Sequence, residues 1–230
     1  MIKGETAWEA AMNVWAEAAR LVRSALGYGA VYLAGTIGFW SLIDFGIVGE
    51  DYSIIGSIVD FALGYLLTVG LLTSGGLLPD GMKGTFGTYF AVSLISGIAI
   101  LLGLVALVIP GVFLMVRWLP AYGFALAQES SATDALGASW AATEGAFWPL
   151  FLAMFIPLFA VLAPVVPVLL YDLSAILSED AIVLYDDMSD VVVFAFTILS
   201  SLAALALTAI GVASYALLRD QSGSLNEIFE

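Results

Sequence analysis

Cysteine and histidine are both absent from the 230-residue chain. Their absence excludes a disulfide, a thiolate nucleophile, an imidazole base, a haem ligand and an ordinary zinc site. A metal site would need oxygen ligands alone, and we predict neither a metal nor any other cofactor. The sequence also lacks a G-x-S-x-G nucleophile motif and a P-loop, so we expect a protein that is not an enzyme.

Basic residues are scarce. Six Lys and Arg stand against 20 Asp and Glu, which gives a net charge of −14. A protein that binds nucleic acid needs clustered basic residues to neutralise phosphates, so no nucleic-acid partner is expected. The same scarcity argues against a polybasic patch for anionic lipid headgroups.

Apolar residues make up most of the chain. They form 62% of the chain, charged residues only 11%, and the mean hydropathy is +1.05. Soluble domains carry about a quarter charged residues, whereas a helix that crosses the hydrocarbon core needs about 20 apolar residues. The composition therefore predicts an all-α, polytopic membrane protein. A bound lipid would be compatible with such a protein.

The apolar runs predict a membrane domain over residues 25–218, between an amphipathic segment at 1–24 and a tail at 219–230. Six transmembrane helices are expected, at 25–43, 53–78, 85–109, 111–128, 146–170 and 190–218. Each run is long enough to span a bilayer.

Two further helices are predicted outside the spans. In the N-terminal segment one face carries Trp8 and Trp15, together with Ala11, Met12, Ala19 and Val22. This face suits either the lipid headgroup plane or packing on the protein's own membrane helices. Ser131 followed by Asp134 forms a capping signal, which predicts a short interfacial helix over 132–145, between spans four and five.

The distribution of charges predicts the orientation. Lys3, Arg20 and Arg23 precede span one, Lys83 separates spans two and three, and Arg219 follows span six. The opposite loops, 44–52 and 171–190, hold only acids, so both termini are expected to be cytoplasmic. Residues 1–23 mix charges throughout, which predicts an uncleaved anchor instead of a signal peptide.

The starts of three spans resemble one another: "RSALGYGAVYL" (23–33), "KGTFGTYFAV" (83–92) and "EGAFWPLFLA" (144–153). One interpretation is a repeat of three hairpins with parallel orientation. The other is that every hairpin entering from the cytoplasmic interface recruits glycines and aromatic residues.

Two ionisable residues, Asp60 and Arg117, are predicted to lie inside the membrane. Each costs roughly 2.5–3.5 kcal/mol to insert, so each should face protein or water. Gly56 and Gly64 share a helix face with Asp60 and would allow another helix to approach closely. Counting residues along each helix places both charged residues about 10 Å below the outer interface of the membrane. An Asp60–Arg117 ion pair is therefore predicted.

The predicted pair suits either a structural clamp between spans two and four or an anion or proton site, and the clamp is favoured. Pro120 should free the carbonyl of Val116 beside the arginine. Span five contains Pro149, Pro157, Pro164 and Pro167, which predict a kinked helix. The acids of 186–190 suit either a weak Ca²⁺ site or a solvated loop, and the loop is favoured.

One stretch, "IPGVFLMVRWLPAYGFALAQESSATDALGASWAATEGAFWPLF" (109–151), resembles the membrane-domain family of glycerophosphoryl diester phosphodiesterases and related bacterial inner-membrane proteins. The residues that carry the resemblance are Pro110, Gly111, Arg117, Glu129, Ala135, Leu136, Ser139, Trp140, Gly145, Phe147 and Trp148. The resemblance implies a six-span protein of the bacterial inner membrane. It implies no catalytic residue, because the phosphodiesterase chemistry of fused relatives belongs to a separate soluble domain.

Two functions from different classes remain. The first is an accessory or scaffolding subunit, or a membrane-organising factor, that contacts membrane lipids and either a larger complex or further copies of itself. The alternative is a small transporter or lipid-handling protein that uses the Asp60 and Arg117 region and the proline-rich fifth span. A cavity that reaches Asp60 would favour the alternative, and tight packing would favour the clamp.

Overall fold

The computed structural model describes residues 6–79, 85–128, 130–160 and 190–229, and no strand occurs in these ranges. The helices are α1 (Ala7–Ser24), α2 (Leu26–Asp44), α3 (Ser53–Ser74), α4 (Phe86–Ala106), α5 (Val108–Arg117), α6 (Ala121–Ala127), α7 (Ala132–Ala142), α8 (Phe147–Ala160) and α9 (Asp190–Phe229).

Within the described residues, five stretches are long and apolar enough to cross a membrane: α2, α3, α4, the α5–α6 stretch Val108–Ala127, and Val193–Arg219 of α9. The count becomes six if α7 and α8, which meet at a bend of 109°, are taken as one broken span. The prediction of an all-α chain with several helices able to span a membrane is thereby confirmed. The predicted fifth span begins with α8 and continues beyond residue 160, outside the described residues.

Helix α1 packs against the protein's own helices α9, α3 and α2. Its buried side chains include Ala11, Val14, Ala18 and Leu21, whose spacing places them on one face and whose small alanines allow close approach. Trp8 stays 61% exposed. Helix α1 therefore packs on the bundle, but through a face other than the predicted one, of which Ala11 is buried whereas Trp8, Met12 and Ala19 are exposed.

The hairpin between α4 and α5 turns earlier than the sequence indicated. The predicted spans 85–109 and 111–128 place the turn at Pro110, but the chain breaks at Leu107, which is extended (φ −160°, ψ 133°). Pro110 lies in the first turn of α5, where the missing N–H costs no helical hydrogen bond. Gly111 instead allows α5 to approach α4 closely, because a Cβ at Gly103 would lie 2.9 Å from the Cα of Gly111.

The predicted fourth span, 111–128, is interrupted near its middle at residues 118–120, between the end of α5 and the start of α6. Helix α7 then leads through Gly145 into α8. Gly145 has φ +79°, a left-handed conformation that glycine adopts without steric cost. The predicted interfacial helix 132–145 therefore exists as α7 and ends three residues earlier than predicted.

The last helix, α9, continues to Phe229, so the predicted tail at 219–230 begins as helix. A helix of this length extends about 60 Å, roughly twice the hydrocarbon thickness. The core lies where α9 meets α1, α3 and α6, and its fully buried side chains include Leu21, Leu67, Leu71, Leu126 and Ile210. The predicted acidic cluster at 186–190 and two of the span-five prolines, Pro164 and Pro167, fall outside the described residues or their described side chains.

Candidate functional site

The predicted ion pair between Asp60 and Arg117 does not form. The Asp60 carboxylate accepts a hydrogen bond from the indole Nε1 of Trp40, whereas the Arg117 side chain turns towards α7. Counting residues along a span predicts only the depth of each charged residue in the membrane, not the direction in which its side chain points. Helix α3 packs against α2, α6 and α9, so Asp60 and Arg117 face different neighbours.

Arg117 clamps α5 to the end of α7. Its Nη1 donates to the carbonyl oxygen of Trp140 at 3.3 Å and to Thr143 Oγ1 at 3.5 Å. The guanidinium lies over two rings, 5.0 Å from the centroid of Trp140 and 5.2 Å from that of Phe113. A cation at a helix C-terminus and over aromatic faces is favourable on both counts.

The main chain of Arg117 strengthens the same contact. Its carbonyl accepts hydrogen bonds from Ser139 Oγ at 2.8 Å and Thr143 Oγ1 at 3.3 Å. The carbonyl is available because the N–H of Ala121 donates to Trp118 instead. The break before Pro120 thus frees the carbonyl of Arg117. The sequence had predicted a free carbonyl at Val116, one residue earlier in the chain. The Val116 oxygen instead accepts from the N–H of Leu119 at 3.4 Å.

The residues that carried the family resemblance meet largely in one place, the joint of α5, α7 and α8. Phe113 stacks on Phe147 with 5.3 Å between centroids, and Phe147 meets Trp148 edge to face. Ala135, Leu136 and Ser139 are buried in α7, and Gly145 lies at the bend. Pro110 and Gly111 belong to the α4–α5 hairpin, and Glu129 lies outside the described residues. Stacked aromatic rings and buried small side chains therefore hold this joint together.

Asp60 faces a different environment, a cavity of about 340 Å³ between α2, α3 and α9. Its Oδ1 atom is buried and has no hydrogen-bond partner. The residues that line the cavity combine aromatic rings with hydroxyl groups: Tyr32, Thr36, Trp40, Asp60, Val193, Phe196, Thr197, Ser200, Ser201 and Ala204. No Lys or Arg occurs among the described residues of this lining, so that part of the wall carries a carboxylate without an opposing basic side chain.

Three hydroxyl groups of the cavity donate their protons to other protein groups and can therefore only accept from a ligand. Thr36 donates to the carbonyl of Tyr32 at 3.0 Å and Ser201 to that of Thr197 at 2.8 Å. Thr197 itself donates to Asp44 Oδ2 at 2.7 Å, at the end of α2. Each hydroxyl has a single proton, which these bonds use, and its oxygen lone pairs remain available. Electrostatically, the cavity suits a positively charged occupant.

Two glycines predicted for helix packing lie on α3 at close contacts. A Cβ at Gly56 would lie 2.6 Å from Cε1 of Phe39 and 3.3 Å from the Trp40 ring. Its absence lets Trp40 pack against α3 within reach of Asp60. A Cβ at Gly64 would lie 3.1 Å from the Tyr89 hydroxyl, so this glycine accommodates α4.

The sequence prediction missed the other half of the site. Trp40 on α2 and the α9 hydroxyls that face Asp60 were not identified from the sequence. The signal was present in the spacing of Thr197 and Ser201, which places two hydroxyls along one face of a span. No group of three or more Asp and Glu able to hold a metal occurs within the described ranges.

Comparisons of this chain with protein-family models, curated proteins and solved structures found no match.

Proposed function

We propose that this protein is a small membrane carrier that binds an organic ammonium cation at Asp60. The observation that supports the proposal is that Asp60, whose buried Oδ1 has no hydrogen-bond partner among the described residues, lines a cavity walled by hydroxyl oxygens and aromatic rings. This choice develops the transporter alternative of the sequence analysis, with Asp60 as the charged residue and without Arg117.

Energetics favour a cation here. An ionised carboxylate at membrane depth costs roughly 2.5–3.5 kcal/mol, and its hydrogen bond with Trp40 involves only one oxygen. A bound cation would offset the remaining cost and interact with the rings of Trp40, Phe196 and Tyr32. A water molecule occupies about 30 Å³ of liquid. A bare ion of comparable size would therefore leave most of the 340 Å³ cavity unfilled. A multi-atom ammonium compound fits this volume better.

The cavity spans the half of the bundle where α2 ends and α9 begins, near Asp44. With both termini in the cytoplasm of a bacterial inner membrane, as the sequence predicts, this half faces outward. The carrier would then receive its ligand from the extracytoplasmic side. The prediction of an accessory or scaffolding subunit stays a prediction, and the cavity at Asp60 is what favours the carrier.

The test is calorimetric titration of the purified protein in lipid nanodiscs. The probe is choline, and its neutral isostere is 3,3-dimethylbutan-1-ol, in which carbon replaces the nitrogen. Asp60→Asn keeps an oxygen for Trp40 but removes the charge, and Asp51→Asn removes one charge from an exposed position as the matched control.

We expect choline to bind the unmodified protein and Asp51→Asn alike. Asp60→Asn should weaken binding about 10- to 100-fold, or about 1.4–2.8 kcal/mol, because it removes the Coulombic attraction between the carboxylate and the quaternary ammonium. Equal binding of the neutral isostere, or unchanged binding by Asp60→Asn, would refute the proposal.

A further inference from the structure

A second cavity, of about 210 Å³, lies deeper in the bundle between α3, α4, α8, α9 and the break that separates α5 from α6. It shares no lining residue with the cavity at Asp60. Among the residues that the structure describes, no Asp, Glu, Lys or Arg lines this cavity, so the described walls of the two cavities differ in charge. An occupant of this second cavity should be uncharged.

The polar groups of this cavity are hydroxyls with free acceptor capacity. Thr68 donates to the carbonyl of Gly64 at 2.8 Å, Ser96 to that of Val92 at 2.7 Å, and Thr208 to that of Ala204 at 2.9 Å. These bonds use the proton of each hydroxyl and leave lone pairs on the oxygens of Ser96 and Thr208, whereas the Thr68 hydroxyl also bonds the Tyr89 side chain. The wall therefore offers acceptors to a ligand that carries one hydroxyl donor.

An aromatic surface lies beside these acceptors. The rings of Tyr89 and Tyr122 pack with 4.8 Å between centroids, and the Tyr122 hydroxyl shares a hydrogen bond with Ser93 at 3.0 Å. Met115 and Met154 complete the apolar wall, and methionine adapts to irregular shapes and contacts aromatic rings favourably. This wall suits a flat, aromatic ligand.

The helix break and one glycine delimit the cavity. Trp118 and Leu119, from the break between α5 and α6, form part of the lining together with Gly211 of α9. A Cβ at Gly211 would lie 2.8 Å from the carbonyl oxygen of Leu119, so α9 approaches the break as closely as the backbone permits. The cavity is thus bounded by a close helix contact on this side.

The geometry points to a second ligand site, which takes an uncharged aromatic alcohol. The ring would pack against the tyrosine pair, and its hydroxyl would donate to the oxygens of Ser96 or Thr208. An engineered apolar cavity of about 150 Å³ holds benzene, so 210 Å³ holds a benzene ring with a small substituent. The inference is independent of Asp60 and of the cation proposed to bind there.

The test uses the absence of cysteine from the chain. Ser96→Cys places a single thiol in the cavity wall, and Thr208→Cys provides a second thiol in case the first variant folds poorly. Ser214→Cys is the matched control, because Ser214 is fully buried and does not line the cavity. Each purified protein is treated in nanodiscs with benzyl methanethiosulfonate, and modification is followed by intact-mass spectrometry.

The cavity variants should be modified and Ser214→Cys should not. The probe 4-fluorophenol should slow modification at least fivefold, whereas 4-fluorotoluene, which carries methyl in place of hydroxyl, should slow it less than twofold. Asp60→Asn should leave this protection unchanged. Unreactive thiols at both cavity positions, or equal protection by the two probes, would overturn the inference.

Discussion

The contact between Arg117 and α7 yields the most specific prediction about stability. The guanidinium lies 5.0 Å from the Trp140 ring centroid, and this arrangement stabilises by about 0.5–2 kcal/mol, depending on desolvation. Replacing Arg117 with Met also removes a partly buried guanidinium whose buried Nε has no hydrogen-bond partner among the described residues, which offsets part of the loss. The coupling energy between two variants isolates the contact better than either single variant.

Three double-mutant cycles measure that coupling. Arg117→Met combined with Trp140→Leu should be non-additive by about 1 kcal/mol, because Trp140→Leu removes the ring and retains the carbonyl. Arg117→Met combined with Asp60→Asn should be additive within about 0.5 kcal/mol, since the two side chains face different helices. Trp148→Leu serves as the control, because Trp148 is 63% exposed and the guanidinium lies over Trp140 and Phe113 instead.

Free energies of unfolding would come from titration with sodium dodecyl sulfate in mixed micelles, monitored by far-ultraviolet circular dichroism. A coupling of about 1 kcal/mol between Arg117 and Asp60, with none between Arg117 and Trp140, would refute the clamp described here. It would instead support the ion pair predicted from the sequence.

Three further predictions concern other positions. Gly145→Ala should lower stability by about 1–2 kcal/mol, because Gly145 has φ +79° and alanine is strained there; an unchanged detergent-unfolding midpoint would contradict this. Gly211→Ala should lower the melting temperature more than Gly145→Ala, since its Cβ would lie 2.8 Å from the Leu119 carbonyl oxygen; an equal or smaller loss would argue against that close contact. The hydrogen bond from the Thr6 backbone N–H holds the pKa of the Glu9 carboxyl below its ordinary value. Glu9 should therefore stabilise the start of α1 above the ordinary carboxyl pKa and lose this effect as the pH falls through the lowered pKa. A carboxyl carbon titration by nuclear magnetic resonance checks this, and an ordinary pKa at Glu9 would contradict it.

The helical architecture could be predicted because apolar runs of bilayer length leave few alternatives. Spans such as 53–78 and 85–109 match α3 and α4 closely for this reason. Depth along a span could also be counted from the sequence. The direction of a side chain could not, because it depends on which helix packs against which face. Asp60 and Arg117 show this limit, since their matched depth suggested a pair that the packing does not form.

The amphipathic face of α1 illustrates a related limit. The large apolar residues Trp8 and Met12 marked the predicted contact face, yet both stay at least half exposed. The buried face is centred on Ala11, Val14, Ala18 and Leu21. In a membrane bundle, close approach of helices favours small residues, whereas bulky residues can remain exposed to lipid. Hydrophobicity alone therefore identified the helix but not the face that packs.

The most direct test of the carrier proposal is whether the cavity at Asp60 is reached by a water-soluble cation. Ser201→Cys introduces a thiol into the cavity lining, and Leu202→Cys introduces one at a neighbouring position that is 46% exposed and does not line that cavity. The reagent 2-(trimethylammonium)ethyl methanethiosulfonate carries the proposed ligand charge. We predict that Ser201→Cys reacts, that choline slows this reaction, and that Leu202→Cys does not react. An unreactive thiol at position 201, or equal reaction at both positions, would contradict the account.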